Sequence, residues 1–134
     1  AGAALNRAAL GQMGPAGDGR ATVALARNVG LADLQDDALT EAVAYLTHIA
    51  VRDALRASSP HEAWRRLFRP DDVVAVKLSC LAPQFSPSVG VMAAIVQGLG
   101  VAGVPPEHII FYDKDPGQID PFHLFAPLPS AVLL

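Results

Sequence analysis

A single cysteine, Cys80, stands among 134 residues. That scarcity excludes an internal disulfide, and it excludes a four-cysteine zinc or iron–sulfur site built by this chain alone. It also removes cysteine pairing as a guide to compartment. No apolar run reaches the roughly 18 residues that a membrane-spanning helix needs. Charge of either sign is sparse, and the formal net charge is -3. The chain therefore carries no basic footprint for nucleic acid or for an anionic membrane. His48, His61, His108 and His123 show no ligand spacing, so a zinc site is not expected. No glycine-rich loop follows a strand-like run. Gly98, Gly100 and Gly103 gather at the end of a helical pattern, and their spacing is not a dinucleotide fingerprint.

The length suits one domain with a real core. Hydrophobic residues make up 51% of the chain, which excludes a disordered class. Much of that content is alanine, so the core has limited bulk. The chain begins at Ala1 rather than Met, which leads to the expectation of a processed protein or a fragment. Residues 1–20 are rich in Ala and Gly with no clean period. They read either as the remnant of an export signal's cleavage region or as a flexible leader.

Residues 22–26, TVALA, form a short β-branched and aliphatic run that predicts a strand. Asn28-Val29-Gly30 breaks it. Asp36 or Asp37 is expected to cap a helix running to about Ala57, with Leu39, Val43, Leu46, Ala50 and Ala54 on one apolar stripe. Arg52 and Arg56 suit its C-terminal dipole. Ser59-Pro60-His61-Glu62 predicts a helix start with Ser59 as cap, Pro60 in the first position and Glu62 closing a capping box. Trp64, Leu67 and Phe68 should pack inward before Pro70 ends that helix.

Residues 73–78, VVAVKL, make the strongest strand signal. The run is continuously apolar until Lys77, as for a strand covered on both faces. A loop follows over residues 79–84. Ser86-Pro87 reads as the next helix start, with Ser88 as a competing cap. That helix should run to about Leu99, burying Val89, Met92, Ile95, Val96 and Leu99. Gly100, Gly103 and Pro105-Pro106 end it. IIFY, residues 109–112, is a second buried strand. Strand, helix and strand at these spacings predict a right-handed βαβ unit with parallel strands, hence a layered, mainly parallel α/β domain over residues 21–115. Pro116, Pro121, Pro127 and Pro129 punctuate residues 116–134, which are expected to be an irregular tail.

The segment LFRPDDVVAVKLSCLAPQFSPSVGVMAAIVQGLGVAGVPPEHIIFYDKD, residues 67–115, resembles the domain-of-unknown-function 362 family. The resemblance is carried by Val74 through Lys77, Cys80-Leu81-Ala82, Ser86-Pro87, and Gly103 to Glu107 leading to Asp113. Counting the upstream ASSPHEAWRRLF and the early Ala-Arg-Asn, it covers roughly residues 21–115. The motifs are specific in order and spacing rather than singly. Ser79 and His108 stand where asparagine is usual in the family, and the tail after Asp115 departs from its continuation. Those departures imply a partial or altered copy. The resemblance implies no general activity. Its relatives include exported proteins with twin-arginine leaders and proteins with iron–sulfur segments elsewhere in the chain. It leaves a periplasmic and a cytoplasmic location both open, and it transfers no cluster ligand to this chain.

Ligands of open α/β sheets bind beyond the carboxyl ends of parallel strands. Two such exits are readable, at Lys77 to Cys80 and at Asp113. Lys77, Ser79, Cys80, Ser86 and Asp113 are therefore the candidate ligand-binding residues, and the helix start at residues 86–88 could add backbone N–H groups for an anion. Each has a plainer reading. Lys77 can lay its stem on the core with its amine in water, Cys80 can be a small buried hydrophobe, Asp113 can pair structurally, and the serines can merely cap. Three functions remain open: a small-molecule or anion-binding domain, a non-catalytic module that docks on another chain or on the remainder of its own domain, and part of an iron–sulfur redox protein whose ligands lie outside this chain.

Overall fold

The computed structural model describes residues 22–80, 87–114 and 132–133. Its elements are α1 (Asp36–Ala54), α2 (Pro60–Leu67), β1 (Val74–Lys77), α3 (Val89–Ala102), β2 (Ile109–Tyr112) and β3 (Val132–Leu133). The fold is mixed α/β. Among the described residues it has one sheet, ordered β1-β2-β3 and parallel throughout. β1 and β2 are direct neighbours, in register from Val74 opposite Ile109 to Lys77 opposite Tyr112.

The core lies between that sheet and α3. Phe111, Leu78, Met92, Leu99, Ile109, Cys80 and Val104 are buried together, with Phe68, Val74, Val76, Val89, Ile95 and Val96 packed against them. Period-two alternation turns Ile109 and Phe111 to the core, while Tyr112 remains 38% exposed. On β1, Val74 and Val76 are half-buried, and Ala75 and Lys77 are exposed. The run at residues 73–78 was expected to be covered on two faces. Among the described residues β1 alternates instead, and Ala75 and Lys77 lie on an exposed face.

α3 fills two roles at once. Gly90, Ala94, Gly98 and Ala102 are buried at intervals of four and form a stripe of small residues. A side chain at Gly90 would meet the Thr40 carbonyl oxygen at 2.6 Å and Val43 Cβ at 2.7 Å. At Gly98 it would run into the Trp64 indole. The glycines thus let α1 and α2 approach α3 closely. Trp64 is locked from the other side. Its Nε1 donates to His48 Nδ1 at 2.9 Å, and its ring stacks on Phe68 with centroids 6.0 Å apart. His48 Nε2 lies 3.2 Å from Gln97 Oε1, so the same ring also reaches α3.

Several local expectations are corrected. Residues 22–26 are irregular, not a strand, with Val23 87% and Leu25 72% exposed. A strand takes its hydrogen bonds from a neighbour, and no described strand lies beside this segment. Asn28 does break the run, accepting from the Gly30 amide at 2.9 Å. The cap of α1 is Gln35, without a side-chain bond; Asp36 and Asp37 sit in the first turn, where the dipole favours them. α1 stops at Ala54, three residues early, and Ala54 itself is exposed. Ser59 does cap α2, accepting from the Glu62 amide at 3.2 Å, but Glu62 reaches back to the amide and hydroxyl of Ser58 rather than to Ser59. Of the two serine caps weighed for α3, Ser88 holds the position, accepting from the Val91 amide at 3.3 Å. α3 continues to Ala102, and Gly103 closes it at φ 92, a left-handed conformation that suits glycine. Within the tail, Val132–Leu133 is not irregular but pairs with β2. The expectations for residues 1–20, 81–86 and 115–131 lie outside the described residues.

The end of α1 yields a test. Arg56, just past the cap Leu55, has φ 49. A non-glycine residue is strained there. Arg56→Gly relieves about 1–2 kcal/mol of left-handed strain against about 0.5–1 kcal/mol of added backbone entropy, so stability should rise modestly, read as a higher urea midpoint at unchanged slope. A lower midpoint would refute the strained turn.

Candidate functional site

The sequence-derived candidates divide in the structure. β1 and β2 run parallel, so their carboxyl ends open on the same side, and Lys77, Cys80 and Asp113 meet there. Lys77 is the last residue of β1 and Asp113 the first after β2. The Lys77 Nζ lies 2.6 Å from Asp113 Oδ1 and also donates to the Leu78 carbonyl oxygen. The other carboxylate oxygen, Oδ2, accepts from the Cys80 amide at 2.7 Å. Oδ1 additionally accepts from the Lys114 amide at 2.6 Å. Leu78 extends the ladder, donating from its amide to the Tyr112 carbonyl at 2.8 Å.

Asp113 is thus a carboxylate shared among one ammonium and two backbone amides, and its side chain is only 6% exposed. The Cys80 contribution is the backbone amide; the side chain is buried in the core. Ser79 lies between them in sequence and is exposed. Ser86 lies outside the described residues. The Lys77 side chain is 48% exposed. An ammonium has three donors, and two are directed at Leu78 and Asp113. The third meets no acceptor among the described residues.

Donation by the Lys77 ammonium, and after it by the Cys80 and Lys114 amides, holds the Asp113 carboxyl down to about 2 from an ordinary 3.8. Its folded pKa is lower than its unfolded one, so the unfolded chain binds the proton more readily. The stabilisation is present above about pH 4 and is lost as pH falls through about 2. Glu62 acts in the same sense. Hydrogen bonds from the Ser58 hydroxyl and amide, followed by Arg66, hold it below its usual value. Acid unfolding should therefore steepen between about pH 4 and 2. Asp113→Asn should be less stable at neutral pH and show a shallower acid limb. An identical acid limb in that variant would remove the assigned role.

The other places where chemistry could gather are plainer. Among the described residues no three His, Cys, Asp or Glu side chains are close enough to hold a metal ion. No helix among them is long and apolar enough to cross a membrane. An open groove lies between the C-terminal ends of α2 and α3, lined by Arg65, Phe68, Arg69, Pro70 and Val101. Arg65 there donates to the Val101 carbonyl at 3.2 Å, joining α2 to α3. Sequence reasoning missed two features of the strand exits. One is the Cys80 amide as an Asp113 partner, since backbone donors carry no residue-type signal. The other is the Leu78 carbonyl as a second acceptor for Lys77.

No family model, no curated protein and no solved structure matches this chain.

Proposed function

We propose that this chain is a small-molecule-binding α/β domain of the domain-of-unknown-function 362 type, taking an anionic ligand where β1 and β2 end. In this reading the sheet and helices form a layered unit whose β1-α3-β2 crossover is right-handed. The single observation that carries it is the half-exposed Lys77 ammonium, fixed by Asp113 and the Leu78 carbonyl, whose third donor has no partner among the described residues. A cation oriented in advance binds an oxygen ligand without first giving up side-chain freedom. Ser79 and the exposed Lys114 would flank that ligand.

A second reading rests on the same carboxylate. Both Asp113 oxygens are engaged by the fold itself, as befits a latch that ties the loop after β1 to the end of β2 within a docking module. The two readings separate under inorganic phosphate. In the ligand-binding case, phosphate raises the melting temperature of the unaltered chain. Lys77→Met keeps the stem of the side chain and should abolish that rise, as should the Lys77→Met/Asp113→Asn pair. If phosphate stabilises the double variant as much as the unaltered chain, the site is wrong and the latch reading stands.

A further inference from the structure

We infer that the groove between the C-terminal ends of α2 and α3 binds a small carboxylate with an apolar body, gripped by Arg65 and Arg69 and laid on Phe68, Pro70 and Val101. The groove offers about 450 Å³. Small-molecule sites commonly have roughly 300–1,000 Å³, lie between helices, and combine an apolar lining with a few convergent polar groups.

The fold uses the arginines at the end of α2 unequally. Arg66 pairs with Glu62 and donates to the Leu55 carbonyl at 3.3 Å. Arg65 gives only its Nε, to the Val101 carbonyl at 3.2 Å. Its two terminal nitrogens meet no acceptor among the described residues, and the Arg69 side chain meets none there either. The Asp72 carboxylate accepts instead from the Arg69 backbone amide at 2.8 Å. Neither Asp71 nor Asp72 forms an ion pair with Arg69 among the described residues. Two exposed guanidiniums without a carboxylate thus line one concavity. The free end of a guanidinium matches the two oxygens of a carboxylate.

The walls are set before a ligand arrives. Phe68 stacks on Trp64 and packs against the core. Pro70 lies so close to Gly103 that a Cβ there would sit 2.9 Å from Pro70 Cγ. The end of α3 is closed as well: the Gly103 amide donates to the Gly100 carbonyl and the Val104 amide to the Leu99 carbonyl, each at 3.0 Å. Binding therefore costs little side-chain freedom beyond that of Arg69. The lining also selects the ligand. Phe68, Pro70 and Val101 give a hydrated phosphate nothing in exchange for its water, whereas an aryl or alkyl body gains by leaving water.

Titration with 3-phenylpropionate, followed by amide resonances, tests the site. The Val101, Ala102 and Gly103 amides should shift, and those of Ser79 and Lys114 should stay. The neutral 3-phenylpropanol should bind at least about 10-fold more weakly, as the loss of a charged hydrogen bond demands. Arg65→Gln also gives up the tie to Val101, so Arg69→Gln is the deciding variant. It breaks no described contact of the fold, and it should keep the melting temperature while weakening 3-phenylpropionate about 10-fold or more. Unmoved Val101–Gly103 amides, equal binding of the alcohol, or equal binding by Arg69→Gln each overturns the proposal. Lys77→Met should leave this binding intact. Loss of binding in Lys77→Met, with shifts at Ser79 and Lys114, places the carboxylate at the strand ends and overturns the groove. Binding here in a chain that phosphate does not stabilise sinks the strand-end reading and leaves the groove standing.

Discussion

Gly98→Ala should lower the stability of this protein by about 2 kcal/mol or more, as overpacked cores do, although glycine to alanine inside a helix ordinarily gains up to about 1 kcal/mol. The reversal comes from Trp64. A methyl group at Gly98 would overlap the indole atoms Cε2, Cδ2 and Cζ2. A flexible side chain could swing away, but Trp64 is 5% exposed, hydrogen-bonded to His48 and stacked on Phe68. Relief would require α2 and α3 to separate. Gly100 is the internal control. It lies on the same helix, and a methyl group there meets nothing within 4 Å. Gly100→Ala should raise stability by about 0.5–1 kcal/mol. Urea unfolding followed by Trp64 fluorescence compares the two. Equal gains for both variants would show that the indole does not press on Gly98.

Phe111→Ala should cost about 3–5 kcal/mol, which consumes much of the roughly 5–15 kcal/mol that holds a domain together. Phe111 is the largest fully buried side chain described, at 0% exposed. It sits on β2 among Leu78, Cys80, Met92, Leu99, Val104 and Ile109, the cluster that fastens α3 to the sheet. Those neighbours are themselves buried, so any collapse into the void would have to shift packed side chains. Phe111→Leu should lose much less, in line with a partial repacking. A urea midpoint for Phe111→Ala within error of the unaltered chain would mean that the sheet does not rest on this residue.

Legibility in the sequence followed the range of the interactions. β1 and β2 were readable because continuous apolar runs bounded by Asp71-Asp72 and by prolines admit few alternatives. Their parallel pairing follows from the helix between them. The start of α2 was readable because Ser59 and Pro60 act within one turn. The strand ends that bring Lys77 toward Asp113 were readable from topology alone. What escaped depends on neighbours distant in sequence. TVALA has a strand's composition but no adjacent strand among those described. Gly98 looks like an ordinary helix-weakening glycine until Trp64 lies against it. The reach of Glu62 to Ser58 instead of Ser59 is a difference of one residue in chain direction, set by how the chain enters the helix. The two-residue β3 is too short for any periodic pattern and exists only because β2 offers an edge.

The burial of Cys80 gives the sheet end a clock of its own. Its side chain is 1% exposed, and its amide is held by Asp113. A thiol reagent can then react only when that corner of the fold opens, so the labelling rate measures local opening rather than complete unfolding. Asp113→Asn should quicken labelling at neutral pH while the fluorescence of Trp64, seated at the α2–α3 joint, stays native. Labelling that tracks the fluorescence change step for step would mean the two regions come apart as one.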